Sequence, residues 1–231
     1  MKHKNIKIYT VACTILILLG IVSCANINLN GIYTNVNAAS EKILESDEDI
    51  NNLSVYVRNT EELNTLCNAL RLKKKSIRVG LDLSYSDFNY IGEAFIDCKC
   101  LVSVKLPDRL TAIDANAFKG CDNLIEITIP KNVQSIKPYA FFGCKNLRTV
   151  SFDGTICKSI EYGAFMDCPD ISTFTIPASV QKIGINAFSL SDNVTFSVDG
   201  TNDWQYKKDD NTEHLYLNNS ASYSWRYELT R

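Results

Sequence analysis

Apolar positions recur along this chain with a period far longer than that of a helix or a strand. The pair Ala-Phe stands at Ala94-Phe95, Ala117-Phe118, Ala140-Phe141, Ala164-Phe165 and Ala187-Phe188, at successive spacings of 23, 23, 24 and 23 residues. Three residues after each Phe comes Cys98, Cys121, Cys144 or Cys168, and in the last copy Ser191. Four residues before the Ala stand Ile113, Ile136, Ile160 and Ile183, with Ile91 one place closer in the first copy. A fixed period in this range means like units stacked side by side, none of which can bury its apolar face alone.

Within a unit the pattern first alternates, then loosens. Leu101, Val104 and Leu106 read as inward positions of a strand, with Ser103 and Lys105 outward. Their counterparts are Leu124/Ile127/Ile129, Leu147/Val150/Phe152 and Ile171/Phe174/Ile176. Pro107, Pro130 and Pro177 stop the strand, because proline cannot donate to a ladder. A second inward residue follows, read as Leu110, Val133, Ile156 or Val180, and then a short helical or 3₁₀ turn carrying the Ala-Phe pair. Gly120, Gly143, Asp97 and Asp167 precede the Cys and suit a tight turn. The expected fold is an α/β repeat solenoid, a leucine-rich repeat stack of about five coils over residues 81–198, with strands ~4.8 Å apart. Phe95, Phe118, Phe141, Phe165 and Phe188 should form one ladder, and Cys98, Cys121, Cys144 and Cys168 another.

The flanks read as caps. Residues 53–80 form an N-terminal strand-helix cap: Ser54–Val57 alternates, and Thr60 caps a helix led by Glu61 and Glu62. Leu63, Leu66, Cys67 and Leu70 share one face of that helix, and Lys73-Lys74-Lys75 is its solvated end. Residues 199–231 read as a C-terminal β-meander cap with strands around Trp204–Tyr206, His214–Leu217 and Tyr223–Tyr227. Trp204 and Trp225 either lie buried over the last coil or make a small carbohydrate-binding patch.

Residues 1–23 read as an export signal. Lys2, Lys4 and Lys7 precede an uncharged apolar run from Ile8 to Val22, short for a membrane span. Two cleavage sites compete. Ile21-Val22-Ser23-Cys24 resembles a bacterial lipobox, which would place a lipid on Cys24 and tether the mature chain to a membrane. Val36-Asn37-Ala38 is a small-residue site whose use would release a secreted protein, but it lies far from the apolar run. Polar, Asn-rich residues 24–52 read as a flexible tether. Losing the leader takes the net charge from −2 to −5, which offers no electrostatic reason for a nucleic-acid partner.

Leu124 to Leu147 follows L-x-x-V-x-L-P-x-x-V-x-x-I-x-x-x-A-F-x-G-C-x-x-L almost throughout. That unit resembles the BspA-type leucine-rich repeat family, cell-surface proteins of host-associated bacteria, spirochaetes among them, and of some protozoa. The ending Trp225-Arg226 looks like treponemal members. The resemblance covers about half of the chain. It implies surface display at an outer membrane and adhesion to a host or bacterial protein or glycan, with an assembly role in a bacterial envelope complex as the alternative.

Catalytic chemistry has little material here. Beyond the leader His214 is the one histidine, so any Ser-His or Cys-His site must be built on it, and no cofactor motif appears. Cys98, Cys121, Cys144 and Cys168 in a straight row cannot wrap a zinc ion. They read as buried small thiols, with Cys98-x-Cys100 as a minor metal or redox candidate. The exposed strand face is the candidate binding surface: Asp82, Lys105, Glu126, Thr128, Thr149, Ser151, Thr173 and Thr175.

Overall fold

The structure, a computed structural model, describes residues 31–154, 156–191, 194–199, 204–208, 211–215 and 228–230, the side chains of 206–208 and 211–215 excepted. The leader, Cys24 and Trp225 lie outside the described residues.

Six strands line one side of a solenoid. These are β2 (Val79–Asp82), β3 (Leu101–Lys105), β5 (Glu126–Ile129), β7 (Thr149–Phe152), β9 (Thr173–Ile176) and β11 (Thr195–Val198). Neighbours pair in parallel one coil apart, as in Ile127↔Val150 and Phe174↔Phe196, except β7 and β9. A second, narrower sheet runs behind them. It is built from two-residue strands β4 (Ala112–Ile113), β6 (Ser135–Ile136), β8 (Ser159–Ile160) and β10 (Lys182–Ile183). The repeated Ile of each coil sits in this sheet, fully buried at Ile113, Ile136, Ile160 and Ile183.

The Ala-Phe segment closes each coil as a 3₁₀-type turn. Ala117 N–H donates to Asp114 O, Lys119 N–H to Asn116 O and Cys121 N–H to Phe118 O. The intervening amides reach the next coil: Asn116 N–H bonds Pro138 O, Phe118 N–H Ala140 O and Gly120 N–H Phe142 O. Local and inter-coil bonds thus alternate, and the turn leaves few backbone groups unpaired. Two residues per coil take positive φ. Gly120 and Gly143 fill the place before Cys at φ 71 and 73, and Asp97, Asp167 and exposed Leu190 hold it at 56, 59 and 61.

Between these walls the repeated rings stack face to face. Centroids lie 4.8, 5.2, 5.0 and 5.3 Å apart from Phe95 through Phe118, Phe141 and Phe165 to Phe188. Beside them runs the cysteine row, all free thiols.

The row does more than fill space. Cys121 Sγ donates to Phe95 O at 3.0 Å, Cys144 to Phe118 O at 3.1 Å and Cys168 to Phe141 O at 3.1 Å. Ser191 Oγ repeats the contact to Phe165 O at 3.0 Å. Each coil is thereby pinned to the previous ring's carbonyl, and the last copy keeps the bond with a hydroxyl.

One coil is longer, and two consequences follow. The added residue near Gly154 shifts the inward position, so Cys157 is buried at 2% while Ile156, expected inside, is 41% exposed. Cys157 precedes Ile160 by the three residues that separate Val133 from Ile136; that count, taken from the Ile, gives the register. The strand ladder also breaks here. Strands through β7 form one sheet, whereas β9 and β11 form a separate pair.

Both ends are covered. β1 (Ile50–Ser54) extends the sheet in parallel beside β2, beginning four residues earlier than the alternating Ser54–Val57 suggested. Helix α2 (Thr60–Leu72) buries Leu63, Leu66, Cys67 and Leu70 as expected; its cap is Asn59, whose Oδ1 accepts from Glu62 N–H at 3.0 Å. The expected tether is helical in part. Helix α1 (Val36–Glu45) buries Val36, Ala39, Ser40 and Ile43 against α2 and is capped by Asn35. Its buried residues fall at i, i+3, i+4 and i+7, but only Val36 and Ile43 among them are large and apolar. Lys73 is drawn in to the carbonyls of Leu44 and Ser46 at the end of α1 rather than left solvated.

At the other end a hairpin of β12 (Trp204–Lys208) and β13 (Asn211–Leu215) joins β14 (Leu229–Thr230), which pairs antiparallel with β10. Trp204 is fully buried, which removes it from any surface sugar patch. The expected third strand, Tyr223–Tyr227, falls outside the described residues.

Candidate functional site

Strand geometry alone sets the outward face. Period-two alternation turns every second side chain to solvent, and parallel register places equivalent residues of neighbouring coils side by side. Two ranks result. Ser103, Glu126 and Thr149 stand in line across β3, β5 and β7, with Thr173 beside Thr195 on the following pair. The second rank is Lys105, Thr128, Ser151, Thr175 and Ser197. Within it Thr128 Oγ1 and Ser151 Oγ share a hydrogen bond at 2.9 Å, and Thr175 Oγ1 and Ser197 Oγ another at 2.8 Å.

Lys105, Glu126, Thr128, Thr149, Ser151, Thr173 and Thr175 are all exposed. Asp82, expected with them, is not: it is 8% exposed. Its Oδ1 accepts from Ser84 N–H and Ser84 Oγ, and its Oδ2 lies 3.6 Å from Lys105 Nζ. The open face therefore begins at β3. Sequence alternation placed Asp82 on the outer side but could not show that Ser84, two residues on, would fold back on the carboxylate. The break between β7 and β9 divides the face into an Lys105–Ser151 part and a Thr173–Ser197 part.

A hollow of ≈ 420 Å³ lies beside this face, lined by Lys75, Arg78, Asn123, Asn146 and Arg148. Its charges are partly matched, Lys75 to Asp122 at 3.2 Å and Arg148 to Asp170 at 3.4 Å.

The thiols are chemically subdued. Burial pushes Cys100 up to about 12, Cys168 to about 12 and Cys157 to about 11, so the thiolate needed for nucleophilic or metal chemistry is suppressed. Cys98 and Cys100 turn to different carbonyls of α2, those of Cys67 at 3.6 Å and Leu70 at 3.2 Å. Among the described residues no group of three or more His, Cys, Asp or Glu could hold a metal ion. His214 pairs with Gln205 across the β12–β13 hairpin, and its side chain lies outside the described residues.

The repeated coil also matches a known sequence profile: the BspA type leucine rich repeat region fits residues 82–195, in six copies. The chain carries a BspA-type leucine-rich repeat region. The matched range takes in strands β3, β5, β7 and β9 whole and all five Ala-Phe turns. Among solved structures, a leucine-rich repeat protein of T. pallidum shares 28% identity at a TM-score of 0.44, covering 55% of this chain and 54% of that one. A leucine-rich cell surface protein of Faecalibacterium prausnitzii shares 22% at 0.46, covering 71% and 50%. A leucine-rich repeat protein of Bacteroides ovatus shares 22% at 0.46, covering 66% and 43%. The chain thus spans about half the length of these structures or less. No curated protein matches it.

Proposed function

We propose that this chain is an exported binding protein, without catalytic activity, that presents its strand face to an extracellular protein or glycan. The observation that carries this reading is the pair of exposed hydroxyl and charged ranks, held in register on a sheet whose other side is the core. A flat, hydrogen-bonding surface suits a folded protein partner better than a small substrate, which needs a cleft. Thr149→Arg with Ser151→Arg puts two bulky cations at the centre of the face without touching the core. The mature chain should capture a partner from extracellular matrix or from bacterial envelope extracts, and the double variant should lose it at unchanged thermal stability. Capture that survives the double substitution would refute the assignment, and the origin of the partner separates adhesion from envelope assembly.

The same proposal places the chain on a membrane through a lipid at Cys24. Ordered packing supports this over cleavage after Ala38. Tyr33 bridges Val55, Ile32 is buried and Asn35 caps α1, and cleavage at Ala38 would remove all three. Seven residues from Cys24 to Gly31 reach at most about 25 Å, a short leash on the N-terminal end of the stack. Intact mass of the protein from its own membrane fraction should begin at Cys24 with acyl chains, and the Cys24→Ala protein should lack them. A lipid-free chain beginning at Ala39 would overturn the anchor.

A further inference from the structure

The turn side of the stack, away from the strand face, holds a second surface. Just before each Ala the chain adopts a left-handed conformation: Asn116 at φ 57, Tyr139 at 57, Gly163 at 59 and Asn186 at 57, with Gly92 at 51 in the shifted first copy. Glycine and asparagine take this conformation readily; a ring-bearing side chain does so at a cost in stability. Tyr139 is the one bulky residue among the five. Its ring is half-buried, outside the phenylalanine ladder, so deep burial does not offset the cost. A bulky residue kept in this conformation where its counterparts are glycine or asparagine points to use.

The neighbours are shaped to receive that ring. At Gly163, one coil on, a Cβ would lie 2.8 Å from Tyr139 Cε1, so only glycine leaves the ring its place. Tyr139 meets Tyr162 edge-on at 5.1 Å and Phe142 edge-on at 5.7 Å. Tyr162 is 40% exposed. Contact between the two phenols pushes Tyr139 up and Tyr162 down. Asn186 Nδ2 donates to the Tyr162 oxygen at 3.4 Å. At the rim Lys119 Nζ lies 5.5 Å from the Phe142 ring centroid, and Lys137 and Glu161 neutralise each other at 3.0 Å.

We propose that Tyr139, Phe142, Tyr162 and Asn186 bind a neutral, hexose-based oligosaccharide. The chemistry selects that class over others. Exposed Tyr162, with the partly exposed rings of Tyr139 and Phe142 beside it, suits contact with the C–H side of sugar rings, and phenol and amide groups among them meet the hydroxyls. An apolar protein surface would strand those polar groups on docking. The paired Lys137 and Glu161 leave little net field to hold a strongly charged ligand. The site lies on a different side of the coil from the strand face, so neither assignment depends on the other.

The test uses the mature full-length chain with cellohexaose, mannohexaose and the neutral N-acetylated chitohexaose as probes, followed by ligand-observed NMR and calorimetry. Wild-type protein should bind at least one of them. Tyr139→Gly should weaken that binding by about tenfold or more while its thermal midpoint stays level or rises, because glycine relieves the left-handed backbone. Thr149→Arg with Ser151→Arg should bind the same probe as wild type does. Failure of all three probes, unchanged affinity in Tyr139→Gly, or a lower midpoint in that variant would each overturn the proposal, the last by making Tyr139 a packing residue. So would a wild-type dimer in sedimentation that Tyr139→Gly abolishes, since the patch would then be a self-association surface.

Discussion

Phe141→Ala should lower stability by about 3–5 kcal/mol. Phe141 is fully buried at the middle of the ladder, 5.2 Å from Phe118 and 5.0 Å from Phe165, with its ring plane within 3° of both. Truncation removes contacts from both faces at once. Neighbours tied to the backbone by the Cys144 and Cys168 bonds to Phe118 O and Phe141 O cannot slide in to fill the space. Stacked coils contact only their neighbours, so the loss falls on the interfaces either side of one coil, and the unfolding transition should also broaden. Denaturant titration measures both effects. A change under about half a kcal/mol, the scale of ordinary surface substitutions, would mean that the ring row does not hold the coils together.

Gly80→Ala should cost about 1–3 kcal/mol, the range for overpacking, and should act on the N-terminal cap. Ile50 pairs with Val79 and Leu53 with Leu81, so Asn51 and Asn52 together oppose Gly80 in a bulge. That bulge drives Asn51 O over the glycine: an added Cβ would lie 2.3 Å from it and 2.9 Å from Ser103 Oγ. Asn51 O is backbone and cannot rotate away, so β1 must lift. Amide exchange should quicken at residues 50–54 while the amides of β5 and β7 stay protected. Protection of 50–54 at the wild-type level would show that the cap does not depend on this close approach.

Legibility varied with how strongly each residue's neighbours repeat. The inward Leu, Ile, Val and Phe positions could be read because every coil poses the same packing problem and answers it with the same residue types. Ile156 was misplaced for the converse reason: one inserted residue moved the register, and Cys157 satisfied the core as well as the expected isoleucine. Cysteine was legible as buried but not as a hydrogen-bond donor, because the accepting carbonyl belongs to the previous coil, 26 or 27 residues earlier. Helix α1 was missed because Ala39 and Ser40 stand between Val36 and Ile43, which leaves only two large apolar side chains on its inner face. The candidate face was legible from alternation except at Asp82, where Ser84 and Lys105 enclose the carboxylate.

What the sequence determined by itself was the repeat. A period of 23 residues with Phe, Ile and Cys at constant offsets admits one kind of solution, a stack in which like side chains meet like, because a single coil cannot bury its own apolar surface. What only the tertiary structure decided lies between coils. The break in the strand ladder after β7, the bulge over Gly80 and the seating of the Tyr139 ring over Gly163 each depend on how one coil's exceptions meet its neighbour's. Local pattern cannot specify them, because the atoms in contact come from different turns of the chain and their distances are set by packing.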